Sequence, residues 1–298
     1  MGRETLLTLL LLLFGGLIMQ PMALLPRRPL VNESPRIAER RAWLQLWLPV
    51  LPMLVMGAWL CGWALREPDP VRTRFDHGML IGASLPFALI ALRAALRSVW
   101  ALVRAPIELP ICTAGLWRPR IVFDPFLARA LDERQIHAAL EHERAHVRHR
   151  DPLRIWLAQL ATDLQWPWPW ARERFEAWLE ILECARDDEA RSRGASGTEL
   201  AAAIVATARC THSLPHTGRA GWMLGTDAAL LGDARSLQAR IARLLAPMPE
   251  DGGSASRMRL SDPAALAMLA ALMCLAIALG AAFGNDVLHP FFLWTWTV

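Results

Sequence analysis

Two histidines with a glutamate between them form the pattern H-E-R-A-H at residues 142–146. Histidines four residues apart lie on one face of a helix, so the imidazoles of His142 and His146 can reach a single metal ion. In metalloproteases with this pattern the intervening glutamate, here Glu143, faces a water molecule at that metal. Apolar residues at helical spacing run beside the histidine pair, which argues against a merely solvated polar helix face. The segment predicts a zinc site with Glu143 as general base.

A catalytic zinc ion needs a third protein ligand and an open position for water. Pro152 ends the helix soon after His146, so the third ligand must come from a later element. Glu183 is the best candidate, and Asp187 shares its helix face and could hydrogen-bond a ligand imidazole. Glu180, one turn earlier, is the alternative ligand. A solvated acidic helix face is the alternative explanation of all three carboxylates.

Local signals predict the elements that position these residues. Asp132, followed three residues later by a glutamine, predicts a capped helix to about His149. Asp151 and Pro152 predict the N-cap and first residue of the next helix, which runs to about Gln165. Asp151 could instead orient a ligand histidine, and its capping role would equally explain its position.

The remaining polar segments predict a small β element and one further long helix. We expect a strand pair at Ile107–Gly115 and Arg120–Asp124, with an exposed edge to which a peptide could add as a strand. A helix is expected at about Arg172–Arg193. Residues Gly194–Gly225 are expected to be loop and short helix, and Pro247–Ser256 a flexible link.

The chain contains neither lysine nor tyrosine. Many zinc peptidases use a tyrosine or histidine to stabilise the oxyanion, so a histidine, an arginine or zinc alone would have to serve here. His212 and His216, in the downstream segment, are the candidates. The five cysteines are scattered and never spaced C-x-x-C, which excludes a disulfide scaffold.

The 298 residues are 54% hydrophobic and only 20% charged, with a mean hydropathy of +0.26. This composition is too apolar for an ordinary soluble domain and excludes a disordered chain. Apolar runs of about 20 residues can each cross a bilayer. The first run could instead be a signal peptide, and the last a buried soluble helix. The predicted spans are Thr5–Leu25, Trp43–Leu65, His77–Leu96 and Ala264–Phe283.

Arginine counts predict the orientation of these spans. Five arginines lie in residues 26–42 and three in residues 66–76, so the positive-inside rule places 26–42 in the cytoplasm. We therefore expect residues 1–103 to hold three spans (about 5–25, 43–65 and 77–97). Residues 104–261 would form a cytoplasmic domain, and residues 262–298 the fourth span and a short outer tail. The net charge of +4 is not clustered on a motif, so nucleic-acid binding is not expected.

The central segment resembles the bacterial integral-membrane zinc peptidases that act as β-lactam sensors and antirepressors, the Bla/Mec-type signal transducers. The resemblance covers about residues 105–190. It is carried by G-L-W-R-P-R-I-V-F-D-P at 115–125, L-E-H-E-R-A-H at 140–146, Asp151, Trp166, Pro169 and E-C-A-R-D-D-E at 183–189. It implies four spans around a mainly helical, gluzincin-type zinc domain in the cytoplasmic membrane of a bacterium.

Two departures from the family pattern stand out. The family usually carries a cysteine before the acidic pair near the third ligand, where this chain has Arg186. The sensors also carry a penicillin-binding domain with an S-x-x-K nucleophile, and a chain without lysine cannot be acylated in that way. We therefore expect any sensing to use the spans, the short outer connection or a separate sensor partner.

Three functions follow as expectations. The first is a zinc endopeptidase that cleaves a cytoplasmic regulator, such as a repressor. The second is a membrane quality-control protease resembling the heat-shock and prenyl-protein zinc proteases, which share H-E-x-x-H and E-x-x-x-D. The third is a non-catalytic signalling scaffold, which the intact Glu143 disfavours.

Overall fold

The computed structural model describes residues 34–66, 74–103, 111–123, 125, 129, 131–166, 168–213, 234–247 and 267–282. These residues are mostly helical, as the sequence predicts, with one small antiparallel sheet. The helices are α1 (Pro35–Trp47), α2 (Leu51–Arg66), α3 (Arg74–Val103), α4 (Glu133–His149), α5 (Asp151–Leu164), α6 (Pro169–Ser192), α7 (Gly197–Ser213), α8 (Ala234–Leu245) and α9 (Ala267–Ala282). The strands are β1 (Ile111–Ala114) and β2 (Arg120–Phe123).

The chain divides into two compact units. One unit comprises residues 1–28, 47–92 and 251–298, and the other comprises residues 29–46 and 93–250. In the first unit α2 and α9 approach closely at two glycines. A side chain on Gly62 would meet the carbonyl of Ile277, and one on Gly280 would meet the carbonyl of Trp59. Such glycine contacts let helix backbones pack tightly where no hydrophobic effect drives them together, as in a bilayer.

Within the described residues, one helical segment, His77–Ala101, is long and apolar enough to cross a membrane. A second span is possible if Pro35–Trp47 and Leu51–Trp63, which are bent at a short break, count as one. The predicted span at residues 43–65 therefore contains a break after Trp47, where Pro49 and Pro52 remove backbone donors from the helix. The described part of α9, Ala267–Ala282, is shorter than a full span, and the first predicted run lies outside the described residues.

The second unit is built around α4, α5 and α6. Its first core cluster joins α1, α5 and α6. The members of this cluster are Leu46, Ile155, Ala158, Phe175, Trp178, Leu179 and Leu182. Helix α1 thus packs its last turn into the same core as the helices that follow the histidine motif. A second cluster joins α4 with α7 and α8 through small residues and leucines, including Ala138, Ala201 and Leu244.

The small sheet lies against α4. Ile111 of β1 pairs with Phe123 of β2, and Ala114 pairs with Arg120. Gly115 leaves β1 with φ of +100°, a conformation that suits glycine, and its position faces the Arg118 carbonyl. Both strands fall inside the predicted segments, whose outer residues 107–110 and 124 are outside the described part of the chain.

Three local predictions differ from the structure. Asp151 is not an N-cap: Arg150 occupies that position in a left-handed conformation, with φ of 53° and ψ of 43°, and no side chain caps α5. The segment after Gly194, predicted as loop and short helix, contains the 17-residue helix α7, because its alanine-rich sequence favours a helix and buries Leu200 and Ile204. Helix α6 begins earlier than predicted, with Pro169 at its first position, where proline is favourable.

Candidate metal centre

Helix α4 presents both histidines of the motif to the domain interior. Its first turn is fixed by the predicted capping box, in which Asp132 and Gln135 each bind the other's backbone amide. His142 and His146 are 6% and 5% exposed. Their Nε2 atoms lie 3.0 Å apart, so the two rings face one point.

Glu183 on α6 completes the group. Its Oε2 lies 3.3 Å from Nε2 of His142, and its Oε1 lies 3.6 Å from Nε2 of His146. The three ligand atoms lie within 4.8 Å of one another, and all three residues are buried. The alternative ligand, Glu180, is exposed on the same helix. The structure therefore brings Glu183, and not Glu180, to the histidines.

The geometry of this group fits a metal ion. Ligand atoms about 2.0 Å from a tetrahedral zinc ion stand roughly 3.3 Å apart, close to the three separations observed here. Oε2 of Glu183 is buried and has ion-pair contacts to Arg240 and His142 but no hydrogen bond of good geometry, so a metal ion could still bind it. Two histidines and one glutamate are the protein ligands of one class of catalytic zinc site.

A carboxylate and an arginine stand behind His142. The Nδ1 atom of His142 lies 2.9 Å from Oδ1 of Asp187. Arg240 of α8 holds Asp187 with two hydrogen bonds, at 2.7 and 2.8 Å, and its Nη1 lies 3.0 Å from Oε2 of Glu183. Burial alone would raise the pKa of Glu183, but the positive charge of Arg240, reinforced by the histidines, lowers it to about 2. Glu183 therefore stays ionised and able to bind a cation.

His146 has the same kind of support from the other side. Its Nδ1 lies 2.8 Å from Oδ2 of Asp151, the first residue of α5. Arg186 of α6 holds Asp151 through its Nε and Nη2 atoms, the latter at 2.8 Å. Burial opposes the charge on Asp151, but Arg186 outweighs this effect and lowers its pKa. Each imidazole is thus oriented by an ionised carboxylate, which leaves its Nε2 for the metal.

In the metal-free centre the carboxylates around His142 favour its protonated, positively charged form. Burial lowers the pKa of His142, but the neighbouring carboxylates of Asp187 and Glu183 outweigh burial and raise it to about 10. Without a metal ion His142 therefore holds a proton at neutral pH. A metal that binds here must displace that proton.

Glu143 is half-buried beside the metal ligands. The hydroxyl of Thr113 on β1 lies 2.7 Å from Oε2 of Glu143 and 3.1 Å from its backbone carbonyl. A hydroxyl has one proton, and the shorter contact directs it to the carboxylate. The small sheet thus supports the predicted general base, a contact that the sequence analysis did not foresee.

Sequence reasoning also missed both arginines of the centre. Arg186 was noted only as a departure from the family pattern, and α8 was not predicted at all. The apolar residues Leu237, Ile241 and Leu244, at helical spacing, are the signal that would have found α8 and so Arg240. Of the predicted oxyanion residues, His216 and the side chain of His212 lie outside the described residues.

Residues 93–189 match the Peptidase_M56 family model, which describes the BlaR1 peptidase M56. This match confirms the resemblance to the Bla/Mec-type transducers. It includes the histidine motif, Glu143, Glu183 and both supporting aspartates, whereas α1 and α8 lie outside it. No curated protein and no solved structure matches the chain.

Proposed function

We propose, from the match of residues 93–189 to the BlaR1 peptidase M56 family model, that the chain is a zinc-dependent endopeptidase of the bacterial cytoplasmic membrane. The match to this family supports a membrane-associated metallopeptidase. The observation that carries the finer proposal is the buried group of His142, His146 and Glu183, with Glu143 half-exposed beside it. This arrangement provides three metal ligands and a carboxylate within reach of solvent.

The chemistry that fits is peptide hydrolysis. A bound metal ion would act as a Lewis acid toward the substrate carbonyl. Glu143 would take a proton from the attacking water and deliver it to the leaving amine. Thr113 would hold the Glu143 carboxylate in place through its 2.7 Å contact. Asp187 and Asp151 would keep the two imidazoles oriented, so that the ligands need not reorganise during turnover.

The substrate we propose is a cytoplasmic regulator, such as a transcriptional repressor, cleaved in an antirepressor-type pathway. Two sequence features support this choice: the antirepressor role of the family that the segment resembles, and the arginine bias that predicts a cytoplasmic domain. The sequence contains no lysine and so no S-x-x-K motif, in which the serine is the nucleophile of the penicillin-binding sensor; we therefore propose that a separate sensor partner supplies the signal.

Comparison of two strains tests this function. One strain expresses the wild-type chain and the other the Glu143→Gln variant, and the membrane and cytosolic proteomes are compared for fragments with new termini. We expect one or a few regulators to be cleaved only by the wild type. Glu176→Gln, an exposed change on α6, is the matched control and should cleave like the wild type.

The identity of the fragments separates the alternatives. Cleavage of many misfolded membrane proteins would favour the quality-control protease. Identical proteomes, together with a purified protein that binds no zinc, would favour the non-catalytic scaffold and contradict the proposal.

A further inference from the structure

Behind His146 lies a buried group of four charged residues, here called the Asp151 cluster. It contains two carboxylates and two guanidinium groups, and its members are 0–6% exposed. They are Asp151, Arg154, Arg186 and Glu39. Three of them lie on α5 and α6, within the M56 match. The fourth, Glu39, comes from α1 and lies outside it.

Glu39 competes with Asp151 for Arg154. The Nη2 atom of Arg154 donates to Oε1 of Glu39 at 2.6 Å, whereas its Nη1 atom lies 3.3 Å from Oδ1 of Asp151. The indole of Trp178 also donates to Oε1 of Glu39, at 3.1 Å. Arg154 in addition stacks over the ring of Trp43, 5.5 Å from its centre, so two α1 side chains hold it.

The competition for Arg154 affects His146, because the Asp151 carboxylate contacts both residues. Its Oδ2 already accepts from both His146 and Arg186. With Glu39 in place, the two positive and two negative charges of the cluster balance. Without it, the positive charge of Arg154 would turn fully toward Asp151, in a buried environment where such charges are weakly screened. Asp151 would then be a poorer acceptor for His146, and one positive charge would remain uncompensated near the metal ligands.

We propose that Glu39 is a positioning residue of the metal centre, which draws Arg154 away from Asp151 and so leaves Asp151 free to orient His146. This inference rests on the proposed function, because it requires a metal at His146. It extends the functional unit beyond the M56 match to α1, and Glu39 acts only through Arg154 and Asp151.

The test measures metal binding, and not only turnover, in the full-length protein in detergent or nanodiscs. Zinc affinity is determined by competition with a chromophoric chelator, and the visible absorption of the Co²⁺-substituted protein reports the ligand field. Outer partners of metal ligands typically change metal affinity by 10–100-fold, and Glu39 lies two contacts beyond the outer partner Asp151, so the low end of this range applies. We therefore expect Glu39→Ala to weaken zinc binding about tenfold and to shift the Co²⁺ spectrum.

A second variant distinguishes positioning from simple packing. In Glu39→Ala/Arg154→Met the negative charge of Glu39 and the positive charge of Arg154 are both removed. Asp151 then keeps its contacts with Arg186 and His146. The double variant should recover zinc affinity to within about threefold of wild type and regain the Co²⁺ spectrum, a non-additive result that a packing role would not give. Glu39→Gln, which keeps the acceptor oxygen but not the charge, should fall between wild type and Glu39→Ala. Arg36→Ala removes an exposed α1–α6 contact to Ser192 and should match wild type.

The outcomes are separable. Wild-type zinc affinity in Glu39→Ala, or losses that simply add in the double variant, would overturn the role of Glu39 and leave the proposed function intact. A wild-type protein that binds no zinc would overturn both.

Discussion

The contact between Thr113 and Glu143 yields a quantitative prediction for catalysis. Replacing Thr113 with valine keeps the shape of the side chain and removes the hydroxyl that lies 2.7 Å from the carboxylate. Hydrogen bonds to charged groups contribute about 1.5–3 kcal/mol. Glu143 is only half-buried, so water can partly replace the hydroxyl, and the lower value applies. A loss of about 1.5 kcal/mol corresponds to roughly a tenfold fall in kcat/KM.

The assay measures cleavage of a fluorogenic peptide taken from a substrate that the proteome comparison identifies. Zinc content is measured in parallel, and we expect it to be unchanged, because Thr113 touches no metal ligand in the described contacts. Thr113→Ser keeps the hydroxyl and should retain near-wild-type activity. A Thr113→Val enzyme within twofold of wild type would refute the reasoning. Equal losses in the serine and valine variants would assign the effect to packing of the methyl group.

Three further predictions concern the ligands, pH and topology. Glu183→Ala should abolish stoichiometric zinc binding measured by elemental analysis, whereas Glu180→Ala should leave it intact, and the reverse pattern would move the ligand assignment. Because the pKa of His142 is raised to about 10 in the metal-free protein, zinc must displace a proton, so affinity should rise about tenfold per pH unit from pH 6 to 8. Calorimetry in buffers of different ionisation enthalpy should then show one proton released per zinc, and no release would contradict this pKa. Reporter fusions at Gly252 should be active only in the cytoplasm and those at Val298 only in the periplasm, because the arginine bias predicts that orientation.

The parts of the site that depend on nearby residues could be predicted from the sequence. The separation of His142 and His146 is one helical turn, so the shared face follows from helix geometry alone. The capping box at Asp132 is equally local, and the structure contains it. Glu183 could be named as a candidate because a later helix had to supply the third ligand and Asp187 shares its helix face, but the sequence left Glu180 as the alternative.

Thr113, Arg240 and Glu39 could not be predicted as parts of the site, because each is brought in by tertiary packing. Thr113 reaches Glu143 from a strand, and Arg240 reaches Asp187 from a helix 53 residues further along the chain. The separation between Glu39 and Arg154 is 115 residues. The local sequence predicts none of these contacts: the apolar spacing of Leu237, Ile241 and Leu244 indicates α8, but it does not show that Arg240 reaches Asp187. For Asp151 the sequence left helix capping and the orientation of a ligand histidine equally open, and in the structure its carboxylate lies 2.8 Å from Nδ1 of His146.

The left-handed turn at Arg150 also constrains how this sequence can vary. Helix α4 ends at His149 and α5 begins at Asp151, so a single residue, Arg150, links the helix of His146 to the helix of its carboxylate partner. Each residue inserted there would rotate the next helix by about 100° and carry the carboxylate out of reach. Insertions and deletions between α4 and α5 should therefore abolish metal binding. Glycine adopts the left-handed conformation without strain and should be tolerated at position 150. In a library of length variants selected for activity, only the variants that keep the present spacing between His146 and Asp151 should remain.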